Sequence, residues 1–314
     1  MANIIFMGSP AFAVESLALI KEAGHFISAV VTVPDKPAGR KLKLKTSAVK
    51  DYALENNLNI LQPADLNDDN FLEKLKSYDP DLIVVVAFRK LPKSVWGIPK
   101  YGTFNIHASL LPNYRGAAPI NHAIINGESE TGVTSFFLDN NIDTGKIILQ
   151  EKTDIGESES FGELYERLKV LGAKLCIKTI DKIISNKKNL DVVSQDTLIN
   201  KDTILRKAPK IYKNDCLINW ENNTINIYNF IRGLSPDPTA FTFVNTSKGE
   251  LMIKVYVSEY EIKDVEAPNK VVTDNKTYLG FTTLDGVVYI TDIQAAGKKR
   301  MKIEDFLRGT ELSY

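Results

Sequence analysis

At 314 residues, 25% of them charged and 44% hydrophobic, the chain has the composition of an ordinary globular protein and a length that suits two domains better than one. Its 39 basic and 39 acidic residues cancel, which excludes a protein whose whole surface grips nucleic acid. The only cysteines, Cys176 and Cys216, stand far apart and outside any CxxC or Cys/His cluster, which excludes a disulfide framework and a zinc site; no metal is expected.

The first residues carry no basic n-region, and no apolar run approaches the roughly 20 residues that span a bilayer. The expectation is a cytoplasmic protein without membrane contact. Residues 3–7 read as a buried strand. Gly8-Ser9-Pro10 reads as a turn and not a phosphate loop, since the spacing is not GxGxxG and Pro10 lacks an N–H. A helix over residues 13–23 and strands over 29–33 and 59–62 follow. Between those strands, the stretch from Lys36 to Lys50 holds six basic residues, Lys36, Arg40, Lys41, Lys43, Lys45 and Lys50, and no acidic one. Residues 81–87 are strongly β-branched, as in a parallel strand covered on both faces. Further strands are expected over 103–108, 132–138 and 146–153, with helices over 118–125 and 161–185. Strands alternating with helices imply βαβ units, and hence an α/β fold with a mostly parallel, Rossmann-like sheet.

The pattern breaks around residues 186–206, which are polar and poorly periodic. A catalytic domain is therefore placed at 1–190, a linker at 191–206 and a second domain at 207–314. The second domain shows one short helix, 225–231, and short strands over 241–244, 251–260, 280–281 and 286–294. That texture fits a small, OB-like β-barrel. Two more basic groups follow, one across the linker's end (Arg206, Lys207, Lys210 and Lys213) and one within the second domain (Lys298, Lys299, Arg300 and Lys302). Local basic patches on a neutral chain suit a polyanion touched at a few places.

The segment from Phe104 to Ile120 is the most informative. Asn105 and His107 are two apart at the end of a predicted strand, so they share a face, and in open α/β sheets ligands bind at the carboxyl ends of strands. A lone histidine is ordinarily a core residue. His107, however, has an amide beside it and is followed by a loop containing Pro112, Arg115 and Gly116. Asp143-Thr144-Gly145 sits between two predicted strands. By itself it is a turn. Beside the Asn/His pair, its carboxylate could orient and charge-stabilise the imidazole, while the Asn amide donates to a developing oxyanion. That set suits acyl transfer to an amine with no covalent enzyme intermediate.

Phe104-Asn105-Ile106-His107-Ala108-Ser109-Leu110-Leu111-Pro112 together with Asp143-Thr144-Gly145 resembles the signature of the folate-dependent formyltransferase superfamily. Arg115-Gly116-Ala117-Ala118-Pro119-Ile120 and Pro34-Asp35-Lys36-Pro37-Ala38-Gly39-Arg40 resemble its methionyl-tRNA branch, as do Ala208-Pro209-Lys210-Ile211, Ile218-Asn219-Trp220 and Gln294-Ala295-Ala296-Gly297-Lys298. The resemblance covers nearly the whole chain. It implies catalytic roles for Asn105, His107 and Asp143, and a 10-formyltetrahydrofolate site at Ser109, Leu110, Leu111 and Pro112. It implies a monomer that takes initiator methionyl-tRNA through the basic loop (Arg40, Lys41, Lys43, Lys45) and an OB-like domain, with Lys207, Lys210 and Lys298 in the basic groups that meet phosphates. Two departures stand out. Val86-Ala87-Phe88-Arg89-Lys90-Leu91-Pro92 replaces a common Ala-Tyr-Gly turn and is one residue shorter, and Lys41 replaces a frequent Gly. The alternatives are a formyltransferase for a sugar nucleotide or glycinamide ribonucleotide, a formyltetrahydrofolate hydrolase, and a non-catalytic RNA-binding protein that keeps a decayed α/β domain.

Overall fold

Residues 82–86, Leu-Ile-Val-Val-Val, offer no polar side chain to water, and they form the middle strand of a seven-stranded sheet. The computed structural model describes residues 1–38, 43–186, 189–200 and 204–313. In chain order its first elements are β1 (Asn3–Gly8), α1 (Ala11–Glu22), β2 (Phe26–Val31), β3 (Lys36–Ala38), β4 (Lys43–Lys45), α2 (Ala48–Glu55), β5 (Ile60–Leu61), α3 (Asp69–Ser77), β6 (Leu82–Val86), α4 (Lys93–Trp96), β7 (Thr103–His107) and β8 (Arg115–Gly116). There follow α5 (Pro119–Ile125), β9 (Glu130–Phe137), β10 (Ile147–Asp154), α6 (Phe161–Asn186) and β11 (Lys207–Ala208). The last are α7 (Thr224–Gly233), β12 (Ala240–Thr246), β13 (Gly249–Ile262), β14 (Val271–Thr273), β15 (Leu279–Thr282), β16 (Gly286–Ala295), β17 (Met301–Lys302) and α8 (Ile303–Leu307).

The large sheet has the order β10-β9-β7-β6-β1-β2-β5. From β5 to β7 all pairings are parallel, and β9 joins β7 antiparallel. This is the mostly parallel α/β sheet read from the sequence. Helices α2 and α3 go beyond that reading because they are only eight and nine residues long, too short for a strong periodic signal. Their starts are nonetheless capped by Ser47 and Asp68, whose side chains accept from Lys50 N and Phe71 N. Part of the basic run is a hairpin, with Lys36 opposite Lys45 and Pro37 opposite Leu44. Lys50, counted in that run, is ion-paired with Asp35 at 2.5 Å.

Contacts group the chain into two compact units, Met1–Gly116, Thr131–Thr153 and Tyr165–Lys207 in one, Ala117–Glu130, Asp154–Leu164 and Ala208–Tyr314 in the other. The second unit is built on a curled antiparallel sheet, β12-β13-β16-β15-β14, with β17 against β16. Its long strand β13 shifts register against β16 between Val255 and Ser258, as a bulge does where a sheet must curl. Trp220 stacks on Phe281 with ring centroids 4.1 Å apart, and its indole N–H donates to Thr242 Oγ1 at 2.9 Å, so the largest side chain of this core leaves no buried donor unpaired. Ile227 and Ile231 of α7 complete the same core.

Helix α7 borrows its cap. The Asn223 side chain does not bond the first turn. Instead, Asp285 accepts from Thr224 N at 2.7 Å, Thr224 Oγ1 at 2.8 Å and Asn223 Nδ2 at 3.0 Å. The bonds from Asn223 and Thr224 hold the Asp285 carboxyl below its ordinary value of 3.8. A depressed folded-state pKa stabilises above the unfolded value and is lost as pH falls through the folded one. Asp285→Ala is therefore expected to cost about 0.5–2 kcal/mol at neutral pH, the usual worth of a cap. The difference between mutant and parent should shrink as the pH drops below the ordinary carboxylate range, measured by denaturant unfolding of the two chains side by side.

Candidate active site

Strand β7 sets the site's first two groups. Asn105 stands opposite Phe136 and His107 opposite Thr134 in β9, two residues apart and therefore on one face at the strand's carboxyl end. The His107 imidazole is buried, with the Phe136 ring edge-on at 6.4 Å. Its Nε2 lies 2.8 Å from the Tyr114 carbonyl. A carbonyl only accepts, so Nε2 carries the hydrogen and donates it, and Nδ1 is left facing Asp143. Tyr114 reaches this position because the chain turns back through a left-handed residue, φ 60° at Tyr114 itself.

Nδ1 of His107 and Oδ2 of Asp143 are 3.9 Å apart, too far for a hydrogen bond. The carboxylate instead accepts from Gly116 N at 2.9 Å. Asp143 also has φ 55°, a region Asp tolerates better than most residues. The structure thus sets His107 beside Asp143 and Asn105 on the same face of β7 as His107, and holds the carboxylate beside the imidazole through Gly116. Asn105 Oδ1 is buried without a partner, a costly state that a ligand N–H would relieve.

The 109–112 stretch is braced from beneath. The Ser109 hydroxyl donates to Asn113 O at 2.7 Å, and Thr134 Oγ1 donates to Ser109 O at 2.6 Å. The Gln150 amide nitrogen donates to Leu111 O at 2.8 Å and to Thr134 Oγ1 at 2.9 Å. Ser109 and Leu111 are buried, whereas Leu110 and Pro112 are half-exposed. Thr134, Gln150 and Tyr114 are given no role in the sequence reading. Each acts through register or backbone, which no short motif announces. At the departure after β6, Ala87 has φ 48° and the Arg89 guanidinium donates to the carbonyls of Pro63 and Ala64, tying that strand end down.

Of the basic residues, Lys45 and Lys207 are exposed in the first unit, and Lys210 and Lys298 are exposed in the second. Lys43 lies in β4, and Arg40 and Lys41 lie outside the described residues. Arg300 and Lys302 are both held by Asp292, at 3.1 and 2.7 Å. Burial pushes both cysteine thiols up, so neither is a poised nucleophile. Among the described residues no three His, Cys, Asp or Glu side chains group as a metal site, and no helix is long and apolar enough to cross a membrane.

Gly145 closes the Asp143 loop where no side chain fits, since a Cβ there would meet Phe137 O at 1.6 Å. Gly145→Ala must push the loop off the sheet. The expected cost is about 1–3 kcal/mol or more of stability, as for other overpacked sites, read by denaturant unfolding. An unchanged midpoint would mean that the loop is free to move.

Known proteins resemble this chain in both halves. The family model for formyl transferase matches residues 2–180, and that for the formyl transferase C-terminal domain matches residues 210–311. The methionyl-tRNA formyltransferase of Bacteroides thetaiotaomicron is 45% identical over 99% of this chain and 96% of its own length. That of Azobacteroides pseudotrichonymphae is 48% identical over 98% of this chain and 96% of its own. The crystal structure of an N-formyltransferase from Helicobacter canadensis, in complex with folinic acid and dTDP-3-aminofucose, aligns over 96% of this chain and all of its own with a TM-score of 0.66. At 23% identity that is a likeness of fold.

Proposed function

The chain belongs to the formyl transferase family, and we propose that it moves a formyl group from 10-formyltetrahydrofolate to the α-amino group of methionyl-initiator tRNA, as a monomer in the cytoplasm. The observation that carries the chemistry is the convergence of His107, Asp143 and an Asn105 amide whose buried oxygen lacks a partner. The acceptor is favoured by relatives of that name at 45 and 48% identity over nearly the full length, against 23% for the sugar-nucleotide enzyme.

The bond changes are simple. The neutral methionyl amine attacks the formyl carbon, a carbon–nitrogen bond forms, and the bond to the folate N10 breaks. One proton leaves the amine and one reaches N10. An α-amino pKa near 8 leaves a usable neutral fraction at pH 7. The Asn105 amide donates to the oxyanion of the tetrahedral intermediate, and its oxygen accepts from the attacking amine. His107 keeps Nε2–H on Tyr114, so Nδ1 is the nitrogen that takes and returns the proton. The charge it then bears faces the Asp143 carboxylate. Leu110 and Pro112 present the braced loop to the folate, with Ser109 and Leu111 holding its shape. Lys45, Lys207, Lys210 and Lys298 meet tRNA phosphates, along with Arg40, Lys41 and Lys43.

The purified protein should formylate methionyl-initiator tRNA and leave an elongator methionyl-tRNA untouched. Release of tetrahydrofolate with neither tRNA formylated would assign a hydrolase or a small acceptor instead. Asn105→Ala should lower kcat by roughly 10²–10³-fold, the loss of one oxyanion donor. His107→Ala should lower it by roughly 10²–10⁴-fold. A His107→Ala enzyme running at full speed removes the imidazole from the mechanism. Lys207→Glu and Lys210→Glu should raise the KM for tRNA and flatten its salt dependence by about 0.9 in the log–log slope per lost phosphate contact. An unaltered salt slope takes those lysines out of the tRNA surface.

A further inference from the structure

Residues 191–206 have the sequence character of a linker, yet one of them is among the most buried polar side chains of the first unit. Gln195 is 1% exposed. Its Nε2 donates to Asp143 O at 2.9 Å and to Gly145 O at 2.8 Å. Its Oε1 accepts from Arg115 Nε at 3.0 Å and from Arg115 Nη2 at 2.6 Å. A primary amide has two N–H groups and two strong lone pairs, and here all four are used. Its partners also settle its orientation. Reversed, the nitrogen would face a guanidinium that cannot accept, and the oxygen would face carbonyls that cannot donate.

The backbone around Gln195 is fixed as well. Val193 and Ile147 exchange N–H···O bonds of 2.9 and 2.8 Å, which lays the segment along the start of β10 just beyond Gly145. Farther on, Arg206 O accepts from Tyr114 N at 2.7 Å. The described parts of this segment therefore touch both loops of the site. Asp143 sits where two tethers cross. Its carboxylate is bonded to Gly116 N, and its backbone is bonded through Gln195 to Arg115, the residue before Gly116.

We infer that Gln195 is a positioning residue for formyl transfer: it fixes the backbone of Asp143 and Gly145, and so keeps the Asp143 carboxylate beside His107. The inference rests on the proposed reaction. His107 and Asp143 share no hydrogen bond, so their separation is set by the end of β7 that carries the one and the loop that carries the other. A displacement of about 1 Å in such a group can cost about 10²-fold in rate. Gln195 does not approach the reacting atoms, and its loss should appear in kcat and leave substrate binding nearly as it was.

The test is a kinetic series on the full chain. Gln195→Ala should lower kcat by about 10–100-fold while KM for tRNA and for the folate stays within about 2-fold. Gln195→Glu keeps the acceptor for Arg115 but cannot donate to the two carbonyls, and it should not restore kcat. In an Asp143→Ala background, adding Gln195→Ala should change kcat by less than about 2-fold, because both changes act on one group. Gln195→Met, which keeps the volume, carries the same comparison should the alanine variant melt too low. Wild-type kcat in Gln195→Met or Gln195→Glu, or losses that simply multiply in the double variant, would overturn the inference and leave the function standing. A wild-type chain that does not formylate initiator tRNA would overturn both.

Discussion

His107 and Asp143 lie 3.9 Å apart with no bond between them, and the proposed chemistry depends on keeping them so. Each is anchored to backbone and not to the other: the imidazole to the Tyr114 carbonyl, the carboxylate to the Gly116 N–H. Tyr114, the last residue of a turn, and Gly116, in β8, stand two residues apart. A single short segment therefore positions both the imidazole and the carboxylate. This arrangement keeps Nδ1 unbonded and able to exchange a proton. A direct His–Asp hydrogen bond would commit that nitrogen.

The turn owes its rigidity to what lies under and beside it. Beneath, Thr134 and Gln150 hold the carbonyls of Ser109 and Leu111 and the Leu111 N–H. These supporting side chains stand on β9 and β10, the antiparallel edge added to an otherwise parallel sheet. Parallel sheets of this kind bury both faces and leave their strand ends to loops. Here the added strands project hydroxyl and amide groups into the loop that follows β7, giving a surface loop the hydrogen bonding of a core element.

Much of this is legible in the sequence and some is not, for identifiable reasons. The Asn105/His107 pairing follows from strand alternation alone, and the buried strands follow from runs such as Leu82 to Val86. Asp143 reads from composition only as a turn residue; its place beside the imidazole is a long-range contact that resemblance supplied. Thr134 matters because it lies opposite His107 in an antiparallel pairing, and register between distant strands has no local signature. Gln195 is hidden by its surroundings, a polar and aperiodic stretch whose fixation comes from bonds to residues about fifty and eighty positions away. Short helices and two-residue strands fall below the length at which periodicity can be read.

Charge shows the same limit from another side. The sequence offers three clusters of cations on a neutral chain, and a count alone makes them equivalent. The structure separates them. Lys50 is spent on Asp35, and Arg300 and Lys302 share Asp292, whose carboxyl those cations hold below its ordinary value against the opposing push of burial. These cations brace the fold, and a phosphate would have to compete with a carboxylate already in contact. Lys45, Lys207, Lys210 and Lys298 stay exposed, and an exposed lysine on a flexible stem can release a counterion to a phosphate at little structural cost. Under the proposed function, the attraction for a polyanion therefore rests on fewer residues than the clusters suggest.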